Sequence, residues 1–303
     1  MHLYIIGNGF DLHHCLKTSP KDYCDFLNEE HPDVLDEIKS SEYFMGDGRE
    51  LAEREDRFWT NVEDNFMFCY SQMLEDTAEE NYPDLNEDSD ARWHHAEFDA
   101  EEKVKAFDEI KKFNTTYLVE WIQSINVTEV TRLPQIHFGA DDLFVNFNYT
   151  KTLEIVYGIS PDAVLHIHGC ISDTQSLQFG NPEYTARKAR SEAENSYGSD
   201  EFYGASIEPA ANHYVTLADA LSKDLDSNIP KLKHFIAGKD IDEIVVMGHS
   251  YSGVDKLYYE KLLIPRFIKA KWTIYCYTDN DFDDAQKYIS EKNLNGEAVY
   301  WKH

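Results

Sequence analysis

The chain has 303 residues, 42% apolar and 14% aromatic, enough for one large α/β domain or a domain with a sizeable insertion. Its 57 acidic against 28 basic residues give a formal charge of −29, which repels nucleic-acid phosphates and anionic membranes, so neither is expected as a partner. The five scattered cysteines (Cys15, Cys24, Cys69, Cys170, Cys276) form no CxxC pair, and there is no basic-apolar leader and no apolar run near the ~20 residues of a membrane span, so we expect a cytoplasmic chain with reduced thiols.

The first predicted element is an apolar strand over 3–6, which breaks into Gly7-Asn8-Gly9 and runs at once into Phe10 and Asp11. A strand that ends in Gly-x-Gly before a helix can bring backbone amides close to a ligand. Glycine allows positive φ and has no Cβ, and the helix start offers N–H groups and a partial positive charge. The third glycine of the dinucleotide fingerprint is missing, so a plain tight turn is the alternative. Asp11 would repel a phosphate; it either caps the helix or binds a sugar hydroxyl or amide.

Residues 19–125 are too long for a simple crossover and read as a helical insertion in several pieces. One piece starts at Ser19-Pro20, with serine at the cap and proline in the first turn, and others are predicted over 50–80 and 96–125. Residues 75–109 hold 14 acidic and 3 basic residues, a net of −11: a solvated helix pair with an acidic link, or a docking surface for a partner.

Further strands are predicted over 142–147, 163–168, 241–248, 271–277 and 297–301, mostly as near-continuous apolar runs. The helical patterns between them, one after Asp255 and one over 283–293, predict a parallel sheet covered by helices on both faces. The second strand carries Asn146 and Asn148 on one face, and asparagine is depleted in strands. They are either amides aimed into a site or turn formers ahead of a helix near Thr150.

The third strand ends in His166-Ile167-His168-Gly169. Two histidines at i, i+2 can bind a metal, but no acidic partner stands at ligand spacing, and no metal is expected. His168 reads as a general base and His166 better as a satisfied core histidine. The fourth strand ends in Gly248-His249-Ser250, close to a nucleophile elbow, but Ser252 stands at the last glycine position and the only later histidine is His303. Asp255 either forms a capping box with Ser252 or contacts a nucleotide. Residues 182–212, rich in Ser, Glu and Gly, read as a long loop and candidate lid.

Together "IIGNGFDLHH", "FNYTKTLE", "HIHG" and "VMGHSYSGVDKLYY" resemble the AbiH family of bacterial abortive-infection proteins, and their order is similar to that of sirtuin-like NAD-binding proteins. The resemblance implies a Rossmann-like (sirtuin-like) sheet with an acidic helical insertion, an NAD site and a role in phage defence. Gly7, Asn8 and Gly9 match the cofactor loop, with Phe10, Asp11 and Tyr149 beside the matched motifs. Asn148 matches the family asparagine, His168 the histidine of "HG", and Gly248 and Ser250 the late Gly-x-Ser. Two positions depart from the sirtuin-like pattern: Asp11 stands where serine is usual, and Thr150 where aspartate is common. The four-cysteine zinc module of the protein deacylases is missing, which favours cleavage of NAD itself.

The expected reaction is hydrolysis of NAD to nicotinamide and ADP-ribose. Asn148 would orient water or a ribose hydroxyl, His168 would act as base, and the glycine loop would hold the pyrophosphate. Ser250 and Asp255 would contact the adenosine ribose. A phage component as trigger and a homo-oligomer or lid as restraint follow from the defence role. The alternatives are a sensor that binds NAD or ADP-ribose without cutting it, and a serine hydrolase using Ser250.

Overall fold

The computed structural model describes residues 1–34, 112–174, 177–183, 222–251 and 253–301, with single positions 188, 191, 212, 215, 216, 218 and 219. The expectations for 50–80, the acidic stretch 75–109, Cys69, the loop 182–212 and Ser252 lie wholly or largely outside these residues. The chain divides into two compact units. One comprises Met1–Ser19, Ile122–Gln178 and Asp224–His303, the other Pro20–Trp121 and Phe179–Lys223. In the second unit, helix α2 (Pro20–Glu30) begins at the expected proline, and its Tyr23 stacks on Trp121 at 4.9 Å. The helix α3 (Leu118–Ser124) follows a π-helical turn, Phe113–Tyr117.

The first unit is built on six parallel strands: β1 (His2–Ile6), β2 (Leu143–Asn146), β3 (Val164–His166), β4 (Glu243–Met247), β5 (Lys271–Cys276) and β6 (Gly296–Tyr300). Their order is β3-β2-β1-β4-β5-β6, the Rossmann order, in which the chain switches direction across the sheet between β1 and β4. The register pairs Ile6 with Asn146 on one side and Met247 on the other, so three strands end level.

Alternation along the strands sorts two apolar layers. Leu3, Ile5, Val145, Phe147, Ile244, Val246 and Trp272 pack with the helices α5 (Leu225–Phe235), α6 (residues 256–267) and α7 (Asp279–Glu291). Tyr4, Ile6, Phe144, Val245 and Met247 pack on the opposite face with α1 (Asn8–His13) and α4 (Thr152–Tyr157). Burial of both faces is why most strands read as continuous apolar runs.

Helix α6 is composite, with α-helical Lys256–Tyr258, π-helical Tyr259–Leu263 and α-helical Ile264–Phe267. Pro265 cannot donate to the carbonyl one turn back and its ring crowds that carbonyl, which accounts for the wider turn before it. Helix α7 starts four residues earlier than expected because Thr278 and Asp281 form a capping box. Helix α5, which the sequence pattern did not suggest, is capped by Asp224, whose side chain accepts from Ser227 N–H, and it carries Pro230 in its interior. Among the described residues no helix is long and apolar enough to cross a membrane. Cys15, Cys24, Cys170 and Cys276 are thiols.

Candidate functional site

Ligands of open parallel sheets sit outside the carboxyl ends of the strands, at the switch point. Here that point lies between the Gly7-Asn8-Gly9 turn after β1 and Gly248-His249 after β4. The two loops lie directly on each other. Gly7 N–H donates to Met247 O at 3.1 Å, Gly9 N–H to Gly248 O at 2.8 Å, and Phe10 N–H to Gly7 O at 2.9 Å. A Cβ on Gly7 would lie 2.5 Å from His249 Cα, and one on Gly9 2.7 Å from Gly248 Cα. Gly248 has φ +63°, and its Cβ would fall 2.3 Å from Phe10 N. The glycines therefore serve backbone-on-backbone packing. The amides of Gly7 and Gly9 are both bonded inside the chain. Asn8 turns its Nδ2 to Thr18 O at 2.8 Å.

On the α1–α4 face, Asp11 is buried (1% exposed) and accepts from Thr150 Oγ1 and, at 2.7 Å, from Thr152 Oγ1. The helix cap is Gly7, not Asp11. Burial pushes the Asp11 carboxyl from an ordinary 3.8 up to about 6, against the pull of hydrogen bonds from Thr150, Thr152 and Asn148 and of the His166 charge. Asn148 (7% exposed) donates from Nδ2 to Gly7 O at 3.0 Å, tying the end of β2 to that of β1. Asn146 Oδ1 accepts Asn148 N–H at 3.0 Å, so Asn146 is a turn former. His166 pairs with Glu154 Oε1 at 2.8 Å and reaches Asn148 O at 3.3 Å.

On the α5–α6 face a second polar group forms. His168 (2% exposed) follows β3 and sets Nε2 3.1 Å from Tyr258 Oη and 3.6 Å from Asp255 Oδ1. His249 follows β4 and sets Nε2 3.6 Å from Asp255 Oδ2, with Nδ1 2.7 Å from Tyr259 Oη. One carboxylate thus stands between two imidazoles, each at ion-pair distance and longer than a hydrogen bond. The Phe147 ring lies under both, with centroids 5.3 Å from His168 and 3.9 Å from His249. Of the three, Asp255 has the most exposed side chain, 16%. Among the described residues no cluster of three or more His, Cys, Asp or Glu is arranged to hold a metal.

Asn148 and His168 therefore lie at one rim of the sheet but belong to different clusters, on its opposite faces. Phe10 is a core residue (0% exposed) packed on His14, Tyr157 and Trp301. Tyr149 donates from Oη to Gln178 O at 2.8 Å. Ser250 is exposed, and the positive φ that an elbow needs at its nucleophile belongs instead to Gly248; Cys15 and Asn293 are the only described non-glycine residues with it. The residues that sequence reasoning missed are His249, Tyr258, Tyr259 and Thr152. His249 carried one usable signal: it lies at the end of a buried strand, as His168 does.

A family model described as bacteriophage abortive infection AbiH matches residues 3–276. No curated protein and no solved structure matches the chain.

Proposed function

The chain belongs to the AbiH family of bacteriophage abortive-infection proteins, and from that premise we propose that it acts as an NAD glycohydrolase, releasing nicotinamide and ADP-ribose. The observation that carries this reading is the Asp255 carboxylate held 3.6 Å from Nε2 of both His168 and His249 at the carboxyl edge of the sheet. The nicotinamide ring of NAD is cationic, and cleavage of its bond to ribose develops further positive charge at the sugar. A partly exposed carboxylate in an acidic protein attracts the one and stabilises the other. Nicotinamide leaves neutral and takes no proton. The attacking water gives its oxygen to ribose C1′ and one proton to the base formed by Asp255 and His168, a contribution of ~10²–10⁴-fold for general-base catalysis.

The α1–α4 cluster takes a supporting part in this account. Asn148 and Asp11 fix the turn after β1, to which Asn148 is bonded, rather than orienting the water. The pyrophosphate is not held by the amides of Gly7 and Gly9, which are already bonded within the chain. Loss of NAD would harm the host, so the activity needs restraint, and a phage component is the trigger that fits the family role. A second reading, a sensor that binds NAD or ADP-ribose without cutting it, is favoured by the burial of both Asn148 and His168. Incubating the pure chain with NAD, with and without phage lysate, separates the two. Release of nicotinamide, lost in His168→Ala, supports hydrolysis; binding without release in every condition supports the sensor.

A further inference from the structure

One run of hydrogen bonds beneath His168 has a readable polarity. It starts at a donor that cannot be reversed: the backbone N–H of Asp224 meets Gln178 Oε1 at 3.0 Å. That contact fixes which end of the Gln178 amide is oxygen. The same oxygen lies 2.7 Å from the Asn228 side chain, which must present Nδ2 to it. Lys231 Nζ, 3.5 Å from Asn228 Oδ1, agrees with that orientation. The second hydrogen of Nδ2 meets Tyr258 Oη at 2.9 Å. Oη therefore accepts from Asn228, and its own proton needs another acceptor. His168 Nε2 stands 3.1 Å away. Tyr258 is fully buried, where a hydroxyl proton without an acceptor is costly.

We propose that this relay, from Asp224 N–H through Gln178, Asn228 and Tyr258, holds neutral His168 in the Nδ1–H tautomer and keeps a lone pair on Nε2 beside Asp255. Asn228 is then a positioning residue for the hydrolysis; the inference rests on reading this edge as the reacting centre. The two imidazoles that flank Asp255 become unequal. Nε2 of His168 carries no proton toward Oδ1, its lone pair accepting from Tyr258 Oη, whereas His249 bonds through Nδ1 to Tyr259 Oη, where either atom can donate. When water attacks, its proton goes to Asp255. The Nε2 lone pair of His168, held by the Tyr258 hydroxyl, keeps an N–H donor off Oδ1, so the carboxylate takes the proton as the water O–H bond breaks and the carboxyl O–H bond forms. Charge and atoms balance without a further reactant.

The test uses the full chain labelled with ¹⁵N-histidine. Long-range ¹H–¹⁵N spectra report the tautomer of each ring, and loss of one pattern in His168→Gln assigns it. The wild type is expected to show His168 protonated on Nδ1. Asn228→Asp replaces the Nδ2 donor by an acceptor, so Tyr258 must donate to the new carboxylate and His168 must switch to Nε2–H. Nicotinamide release is then expected to fall about 10²-fold in kcat with KM within about twofold, as for a general base held in the wrong tautomer. Tyr258→Phe removes the donor to Nε2 and gives the same switch should Asn228→Asp not fold. An Nε2–H tautomer in the wild type overturns the relay, and so does an Nδ1–H tautomer that persists in both variants. A tautomer that behaves as stated in a chain that leaves NAD intact supports the relay and removes the hydrolase reading.

Discussion

Replacing Gly248 by alanine tests whether the glycine motifs serve contact between β1 and β4. The new Cβ would lie 2.3 Å from Phe10 N, 2.4 Å from Gly9 C and 2.6 Å from Gly9 Cα, all backbone atoms that cannot swing aside. Reaching ordinary van der Waals separation requires the two loops to part by roughly 1 Å. That movement breaks the 2.8 Å bond from Gly9 N–H to Gly248 O. Its loss, with a half-buried donor left unsatisfied, costs about 1–3 kcal/mol. A non-glycine residue at φ +63° adds about 1–2 kcal/mol. The expected destabilisation is about 2–5 kcal/mol. Gly238 is the matched control: its φ is +69°, and nothing lies within 4 Å of where its Cβ would be. Gly238→Ala should therefore cost only the backbone penalty, about 1–2 kcal/mol. Urea unfolding followed by tryptophan fluorescence measures both. Equal destabilisation of the two variants would refute the close-contact argument and reopen the turn as a ligand cradle.

Asp11 makes stability depend on pH. Its folded-state carboxyl titrates at about 6 against an ordinary 3.8, so the folded chain holds the extra proton between those values. Its contribution is fully present below pH 3.8 and is lost as pH rises through about 6. The loss amounts to about 3 kcal/mol. Asp11→Asn, which does not titrate, should accordingly gain on the wild type across that window in urea melts; a constant difference between the two contradicts the assignment. Thr152→Val removes a donor from this buried carboxylate and should cost about 1.5–3 kcal/mol at pH 7, with a smaller penalty at pH 4 where the carboxyl is protonated. A fluorophosphonate probe should leave Ser250 unlabelled, and labelling there would restore the serine-hydrolase alternative.

Most of the six strands were legible because burial on both faces writes itself as unbroken apolar runs. Ile5 and Ile6 point to opposite faces and both are fully buried. Helix α5 was not legible: Asn228 and Pro230 lower the local propensity, and the helix is held by its Asp224 cap and by Leu225, Leu232 and Ile236 packing on the sheet. The late glycine-histidine-serine motif drew the reading toward Ser250, whereas the structure engages His249. That engagement depends on Asp255 and Tyr259, whose approach a local motif cannot state. The contact of Gly7 and Gly9 with Gly248 joins segments about 240 residues apart, and no pattern within either reveals it. The two departures from the sirtuin-like pattern, Asp11 and Thr150, meet in a single hydrogen bond. In the sequence the role of Asp11 is open and Thr150 stands where a ribose contact is expected; folded, one supplies the carboxylate and the other the hydroxyl.

Single-turnover nicotinamide release by the wild type and by Asp255→Asn, with NAD binding measured alongside, bears most directly on the central claim. The account predicts that the wild type frees one nicotinamide and one ADP-ribose per NAD consumed. The variant should still bind NAD but release nicotinamide at least about 10²-fold more slowly. Equal rates in the two proteins, or NAD left intact by the wild type even in the presence of phage lysate, would contradict it.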